Sequence, residues 1–530
     1  MQFFSSGRIL NNSKISRSTL VNVNRCSDNI RVWLGYPISI VGIPKWFNRT
    51  FSSFHVKNVG NVNSLVCFKK TSQLMMSTFV SKPTLSPQLR LGEYDCIGFD
   101  LDNTLCEYNI SSNVGMEYSI LAKFLVEEKG YDPHHLLQPL DSTSHDFIQK
   151  GLVIDFAHGN LLKIGENGLI CRASHGTKAM TLTDIVNTYG SERRWEVTSE
   201  FCKNMIIAWE GPLSERMRAL FDYFDMPASL AFARIIDSLD QKLGQPADIY
   251  NVWPDVKAGL CYMYSRENFK KNEGYFKEMR SNPQKFIKKC NPALMDWLKS
   301  IKESKVTFLI TGSNCDFASM TAETCLGKNW RSLFDVVVCF ARKPGFFTGC
   351  RPFIELNGLE ETNPIDGNAL KFGEMYSQGN WQELYQLFGR NIGKKEPRCL
   401  YFGDNLIQDV YAPSEYTKCD TVAVVEELSV ESSDKYVGHP SEAFLTSHFW
   451  GSFFFDDQEK MNTVWGGIVK RYSKLCIPNL SAIADHSVNY EFSTFCKGPT
   501  DGYFPTYPAT IDSKTKTDSV QKGVSKILPN

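Results

Sequence analysis

Two carboxylates separated by one residue follow a short apolar segment near residue 100. Residues 94–99 read Tyr-Asp-Cys-Ile-Gly-Phe, and Asp100 and Asp102 come directly after them. Neighbouring carboxylates can divide the work of phosphoryl transfer, because one can attack phosphorus while the other protonates the departing oxygen. The pattern Asp-x-Asp is also common in turns and in calcium-binding loops, so the pair alone leaves a structural role open.

Three later apolar segments also end in polar groups that phosphoryl transfer uses. Thr311 and Gly312 offer a hydroxyl and backbone N–H groups, and Lys343 offers a cation. Asp404 and Asp409 add two more carboxylates. Ligands of open α/β sheets bind at the carboxyl ends of the strands, so the chain order predicts that these groups surround one phosphate. Taken singly, Thr311 is typical of a strand-end cap, Lys343 of a solvated loop residue and Asp404 of a turn.

The segments around these motifs alternate between strand and helix patterns, which predicts an α/β fold with a doubly wound parallel, Rossmann-like sheet. The predicted strands are residues 94–99, 306–310, 336–339, 399–402 and 422–425, and the predicted helices are residues 116–128, 294–301, 317–326 and 381–388. Roughly 200 residues separate the first strand from the second. Short strand patterns at 152–156, 161–164 and 169–172 lie in that gap, which predicts a large α+β cap inserted after the first strand.

The chain of 530 residues is too long for one hydrophobic core. We predict a leader at 1–90, a core formed by 91–106 and 292–430, a cap at 107–291, a C-terminal extension packed on the core at 431–497, and a mostly disordered tail at 498–530.

The leader differs from the rest of the chain in charge. Residues 1–90 hold twelve Lys and Arg but one acid, Asp28, and they include Arg49-Thr50-Phe51-Ser52, which is similar to a mitochondrial processing pattern. A basic, Ser-rich and acid-poor leader is typical of an organelle transit peptide. We therefore expect a mitochondrial protein, with a plastid as the alternative, or the cytosol if the leader is not a transit peptide.

Composition narrows the function classes. Residues 91–530 carry 46 basic and 57 acidic residues, which argues against nucleic-acid binding because that affinity comes mainly from phosphate neutralisation. No apolar run is long enough for a membrane span. The sixteen cysteines include no C-x-x-C pair, so we expect free thiols in a reducing compartment rather than a zinc site.

Together these motifs resemble the haloacid dehalogenase superfamily of aspartate-nucleophile phosphatases. The motifs are Asp100-Leu101-Asp102-Asn103-Thr104, Thr311, Lys343, and Gly403-Asp404 followed by Asp409. Residues 100–108, 174–178, 342–347 and 450–454 are similar, more narrowly, to the branch of 5′-nucleotidase domain-containing protein 1, whose members are relatives of cytosolic purine 5′-nucleotidase. The similarity extends from about Tyr94 to about Tyr503.

The resemblance implies a role for each motif. It implies Asp100, Asp102, Thr311 and Lys343 as catalytic residues. Mg²⁺ ligands would come from Asp100, the Asp102 carbonyl and Asp404, with support from Asp409, Thr104 and Gly312. His175 and Lys178 are the candidate substrate contacts, but Lys178 stands where the purine nucleotidases have an Arg, and a structural role for His175 and a solvated Lys178 are the alternatives. Asp409 would either hold a metal-bound water or orient Lys343.

The predicted function is that of an Mg²⁺-dependent phosphatase. It would hydrolyse nucleoside 5′-monophosphates through an aspartyl-phosphate. The alternatives are a phosphatase or phosphotransferase for another small phosphate ester, and a non-catalytic nucleotide-binding scaffold. We expect a small-molecule partner, no nucleic acid and no membrane, and a homo-oligomer is compatible with the sequence.

Overall fold

The computed structural model describes residues 86–431, 444–498 and 500–505. The fold is α/β, as predicted, and is built on one nine-stranded sheet. In spatial order its strands are Glu360–Ile365, Phe353–Asn357, Met375–Gln378, Val336–Cys339, Val306–Ile310, Cys96–Phe99, Cys399–Gly403, Asp420–Val424 and Leu475–Ile477.

The sheet is parallel from Met375–Gln378 to Leu475–Ile477, and only the hairpin at its other edge is antiparallel. Strand Cys96–Phe99 is central and completely buried, as expected of a strand covered on both sides. A Cβ added at Gly98 would lie 2.0 Å from the ring of Phe308, so this ring can pack over the strand only because position 98 is glycine.

The helices of the core lie between its strands along the chain. They are Pro292–Ser304, Cys315–Leu326, Gly345–Thr348, Trp381–Ile392, Ala412–Tyr416 and Val464–Tyr472. Trp381–Ile392 shows how the sequence sets the ends of a helix. The side chain of Asn380 accepts the N–H of Glu383 at its start, and Gly393 ends it with a φ of 71°.

Between the adjacent strands Cys96–Phe99 and Val306–Ile310 lies a long insertion, residues 107–291. It contains an antiparallel sheet with the order Lys178–Ala179, Ile170–His175, Asn160–Ile164, Leu152–Asp155 and Met217–Leu220. Its helices are Ile110–Glu127, Pro133–Leu136, Ser142–Phe147, Leu182–Tyr189, Glu196–Lys203, Met205–Glu210, Pro227–Leu243, Trp253–Met263, Arg266–Lys271, Gly274–Ser281 and Pro283–Phe286. In the described part of the chain, no helix combines the length and the apolar character needed to cross a membrane.

The C-terminal extension connects the core with the insertion. Its strand Leu475–Ile477 completes one edge of the core sheet. The indole of Trp450 donates to the carbonyl of Phe147 at 2.7 Å, and that of Trp465 donates to the carbonyl of Gly151 at 2.8 Å. The extension therefore holds the insertion as well as packing on the core.

Both ends of the described chain extend beyond the predicted boundaries. Gln88–Leu89 pairs with Phe492–Ser493, and Leu89 is buried, although residues 86–90 were assigned to the leader. Tyr503 is also buried, although it was assigned to the tail. A two-residue strand or a single anchored ring produces no periodic pattern, so the sequence offered no signal for these contacts. The rest of the leader lies outside the described residues.

The cysteine prediction holds at most positions. Thirteen cysteines in the described ranges are free thiols, most of them buried.

Candidate active site

Asp100 lies immediately beyond the central strand Cys96–Phe99. Its N–H donates to the carbonyl of Phe402 at 2.8 Å, which continues the pairing of the two strands by one residue. Its Oδ1 accepts a hydrogen bond from Nζ of Lys343 at 2.8 Å. Burial raises the pKa of Asp100 to about 7, against the opposing effect of the Lys343 charge.

Asp102 is held in the turn that follows. Asn103 has a φ of 57°, a left-handed conformation that Asn tolerates better than most residues. Tyr108 donates its hydroxyl to Oδ1 of Asp102 at 2.7 Å, and Ser313 donates its hydroxyl to Oδ2 at 2.5 Å. Burial and the charge of Asp100 raise the pKa of Asp102, whereas the two hydroxyl donors lower it. Both carboxylate oxygens therefore have fixed partners.

Lys343 is carried by a strained loop after strand Val336–Cys339. Phe340 and Arg342 adopt φ values of 46° and 53°, which are unfavourable for side chains of their size. Nζ of Lys343 lies 2.6 Å from Oδ1 of Asp409 in addition to its contact with Asp100. Burial lowers the pKa of Lys343, but these two carboxylates outweigh burial and raise it. The ammonium is therefore kept charged.

Asp409 is placed by a π-helical turn, Leu406–Tyr411, directly after strand Cys399–Gly403. A Cβ at Gly403 would lie 2.3 Å from the Cβ of Asp409, so the turn folds back against the strand end only because position 403 is glycine. The N–H of Asn405 donates to Oδ2 of Asp409 at 3.3 Å. Burial raises the pKa of Asp409, and the charge of Lys343 opposes the shift.

Asp404 has free coordinating capacity. Its Oδ1 accepts a long hydrogen bond from Thr104 at 3.5 Å, and its Oδ2 has no hydrogen-bond partner among the described residues. Its pKa is raised well above the usual range by burial and then by the charges of Asp222, Asp100 and Asp409. A buried carboxylate in these surroundings needs a proton or a cation close to it.

The carboxylates fit a divalent cation. One oxygen each from Asp100, Asp404 and Asp409 lies within 4.8 Å of the other two. An all-oxygen donor set of this kind suits a hard cation such as Mg²⁺. The sequence predicted Asp100, Asp404 and the carbonyl of Asp102 as ligands, and the structure adds the carboxylate of Asp409 to the same cluster.

Thr311 and Gly312 end the neighbouring strand, Val306–Ile310. The N–H of Thr311 donates to the carbonyl of Val338 at 2.9 Å, and its hydroxyl accepts the N–H of Ser313 at 3.1 Å. Thr311 is completely buried. The strand end thus presents a fixed hydroxyl beside Gly312, which lines the cavity.

Six predicted site residues line one small cavity of about 30 Å³. The full lining is Asp100, Asp102, Asp222, Phe224, Gly312, Ser313, Lys343, Asp404, Asn405, Gln408 and Asp409. Thr104 and Thr311 lie just behind this lining, in hydrogen bonds with Asp404 and Ser313.

The two predicted substrate-binding residues are not brought to this cavity. Nδ1 of His175 lies 2.8 Å from Oδ1 of Asn160, and Nε2 lies 2.9 Å from Oδ2 of Asp240, so both ring nitrogens have partners within the insertion. Lys178 is exposed on the edge strand Lys178–Ala179. His175 has a structural environment here, which its position beside a tight hairpin explains.

Several residues at the site carried no assigned role in the sequence. Tyr108 and Ser313 stand within or beside the recognised motifs, so their spacing offered a signal. Asp222 and Phe224 lie in the insertion, far from every motif in the chain, and only the fold brings them to the cavity.

The chain matches the 5′ nucleotidase family over residues 85–436. It is 34% identical over 461 residues to human 5′-nucleotidase domain-containing protein 1, which covers 81% of this chain and 98% of the human protein. The bovine protein of the same name is also 34% identical, over 82% of this chain and 99% of its own length. The rat 5′-nucleotidase domain-containing protein 2 is 25% identical over 65% of this chain and 59% of its own length.

These matches confirm the predicted branch and the predicted enzyme class, a phosphoric monoester hydrolase. The matched residues include every strand end that contributes to the cavity. The chain therefore belongs to the 5′ nucleotidase family, in the branch of 5′-nucleotidase domain-containing protein 1.

Proposed function

We propose that this protein is an Mg²⁺-dependent phosphatase that hydrolyses nucleoside 5′-monophosphates through an aspartyl-phosphate on Asp100, with the insertion acting as a cap. The observation that carries the proposal is the position of Lys343. Its ammonium bridges Asp100 and Asp409 inside a buried carboxylate cluster at the ends of adjacent strands. A carboxylate beside a fixed cation at the strand ends supports attack by Asp100 on an anionic substrate.

In the first step, a carboxylate oxygen of Asp100 forms a bond to phosphorus and the ester P–O bond breaks. Lys343 and the hydroxyl of Thr311 stabilise charge on the phosphoryl oxygens. Asp102 gives its proton to the leaving oxygen, since burial favours its protonated form. The leaving group departs as an alcohol.

In the second step, water attacks the phosphorus of the aspartyl-phosphate. Asp102, now ionised, removes a proton from that water, the bond between Asp100 and phosphorus breaks, and inorganic phosphate leaves. The hydroxyls of Tyr108 and Ser313 hold the Asp102 carboxylate in one orientation through both steps.

Mg²⁺ would be held by Asp100, Asp404 and either the carboxylate of Asp409 or the carbonyl of Asp102. When bound, it would neutralise the repulsion between the anionic nucleophile and the anionic phosphate. Asp404 is suited to this task because one of its oxygens has no protein donor among the described residues.

The substrate class rests on the family. Its name and the name of the human relative both specify a 5′-nucleotidase. The competing functions are hydrolysis or transfer from another small phosphate ester, and nucleotide binding without turnover.

A phosphate-release assay separates these functions. The purified protein is tested on nucleoside 5′-monophosphates and on sugar phosphates, with Mg²⁺ and with EDTA. We expect Mg²⁺-dependent release that is fastest with a nucleotide, loss of activity in Asp100→Asn, and wild-type activity in Asp296→Asn, an exposed acid on a core helix. Faster release from sugar phosphates would indicate another ester, and nucleotide binding without release would indicate a scaffold.

A further inference from the structure

The insertion contributes one carboxylate, Asp222, to the cavity. Asp222 follows strand Met217–Leu220 and lines the cavity together with Asp100 and Asp404. It is only 8% exposed. A carboxylate that is more than nine-tenths buried needs hydrogen bonds or a counter-charge to offset its desolvation.

Hydrogen bonds within its own turn satisfy Asp222 only in part. Its Oδ1 accepts the N–H of Phe224 at 3.1 Å, and its own N–H donates to Oδ1 of Asp225 at 3.1 Å. Its Oδ2 accepts no hydrogen bond from any described residue. The turn leads into helix Pro227–Leu243.

The carboxylates that line the cavity carry more negative charge than Lys343 can neutralise. Five carboxylates line it, and Lys343 is the cation in that lining. After burial, the charge of Asp222 contributes most to the raised pKa of Asp404, ahead of the charge of Asp100. Asp222 and Asp404 also line the same cavity of about 30 Å³, so both carboxylates lie at one site.

The C-terminal extension fixes the strand that leads to Asp222. Gly151, whose carbonyl accepts the Trp465 indole, donates its N–H to the carbonyl of Leu220, two residues before Asp222. Strand Leu152–Asp155 then pairs with Met217–Leu220 along its length. These hydrogen bonds fix the strand that precedes Asp222 and so hold Asp222 at the site.

From these observations we infer that Asp222 is a positioning residue for the bound cation: its Oδ2 accepts a hydrogen bond from a water of the hydrated Mg²⁺ on Asp404. The identity of the cation rests on the proposed function. The insertion then completes the cation site that the core begins, and the bound cation in turn stabilises the contact between core and insertion.

The test measures Mg²⁺ binding without substrate, by calorimetry and by the rise in melting temperature on adding Mg²⁺. Asp222→Asn removes the charge but keeps an oxygen for the N–H of Phe224. Asp248→Asn makes the same change at an exposed acid of the insertion. We expect the Asp222→Asn change to weaken Mg²⁺ binding about tenfold and to reduce the rise in melting temperature, and Asp248→Asn to change neither.

A wild-type affinity for Mg²⁺ in a folded Asp222→Asn protein would overturn this inference and leave the proposed function standing. A wild-type protein that binds no Mg²⁺ and releases no phosphate would overturn both. If Asp222→Asn fails to fold, hydrogen exchange of the wild-type protein decides the question. Mg²⁺ should slow exchange of the amides of residues 221–226, and unchanged exchange there would contradict the inference.

Discussion

Lys343 and Asp409 form a buried ion pair in which Nζ lies 2.6 Å from Oδ1, and the same ammonium reaches Asp100 at 2.8 Å. Lys343 is 4% exposed and Asp409 is completely buried. Neither charge can be hydrated if the other is removed. Lys343 therefore links Asp100, at the end of strand Cys96–Phe99, to Asp409, which follows strand Cys399–Gly403.

Removing the Lys343 ammonium should destabilise the fold as well as abolish catalysis. Lys343→Met leaves the carboxylates of Asp100 and Asp409 buried without a counter-charge, for which a loss of about 3–5 kcal/mol in the free energy of unfolding is typical. Urea unfolding in EDTA measures it. Lys123→Met is the control, because the exposed pair of Lys123 with Glu127 should contribute less than about 1 kcal/mol. Equal losses in both variants would contradict this role of Lys343.

Asp102→Asn should slow hydrolysis by about 10² to 10⁴, the usual contribution of a general acid–base group. The loss should be greater on a nucleotide than on p-nitrophenyl phosphate, because nitrophenolate leaves without a proton. Steady-state rates on both substrates test this prediction. Equal losses on the two substrates would exclude the proposed role of Asp102.

The residues at the strand ends could be predicted because each follows a short buried run that the sequence shows clearly. Strands Val306–Ile310 and Val336–Cys339 have their predicted bounds. The edge hairpin was missed because Glu360–Ile365 is mostly polar and exposed, so it has no apolar pattern. Leu475–Ile477 has three residues, too few to show a period.

The contribution of the insertion to the site could not be predicted. Asp222 reaches the cavity through the pairing of strands in the insertion and through the C-terminal extension, and both depend on contacts between distant parts of the chain. For His175 the sequence and the structure suggest different roles, and a substrate contact stays a prediction. Its place in a recognised motif suggested a substrate contact, whereas Asn160 and Asp240 occupy both of its ring nitrogens.

Tyr108→Phe should shift the pH dependence of kcat/KM. The Tyr108 hydroxyl bonds the ionised form of Asp102 and so lowers its pKa, against burial, which raises it. Without this donor the pKa of Asp102 rises further, so the acid stays protonated to higher pH and the alkaline limb of the profile moves upward. Tyr118→Phe, which removes a hydroxyl bonded to the carbonyl of Leu136, should leave the limb in place. A shift to lower pH in Tyr108→Phe would contradict the assignment.

The leader should direct import into an organelle and should be dispensable for activity. Fusing residues 1–90 to a fluorescent protein tests the first part, and a fusion that stays in the cytosol would contradict it. A chain that starts at Ser86 should keep full activity. A chain that starts at Leu91 should be less stable, because it lacks strand Gln88–Leu89 and the ion pair between Arg90 and Glu491.

Without a divalent cation, the folded protein should lose stability as pH rises. The pKa of Asp100 is about 7 in the folded state against a usual value of 3.8, and that of Asp404 is also raised. Because the folded state binds these protons more tightly than the unfolded state does, their stabilising effect is complete below about pH 4 and is lost as pH rises towards about 7.

Melting temperatures between pH 5 and pH 8, with EDTA and with Mg²⁺, test this prediction. The melting temperature with Mg²⁺ should exceed that with EDTA by more as pH rises. At higher pH the carboxylates are ionised, so they repel one another in EDTA but bind Mg²⁺ when it is present. Asp100→Asn removes one of these charges, so its melting temperature in EDTA should fall less over the same range. A difference that does not depend on pH would mean that the raised pKa values of this cluster do not control stability.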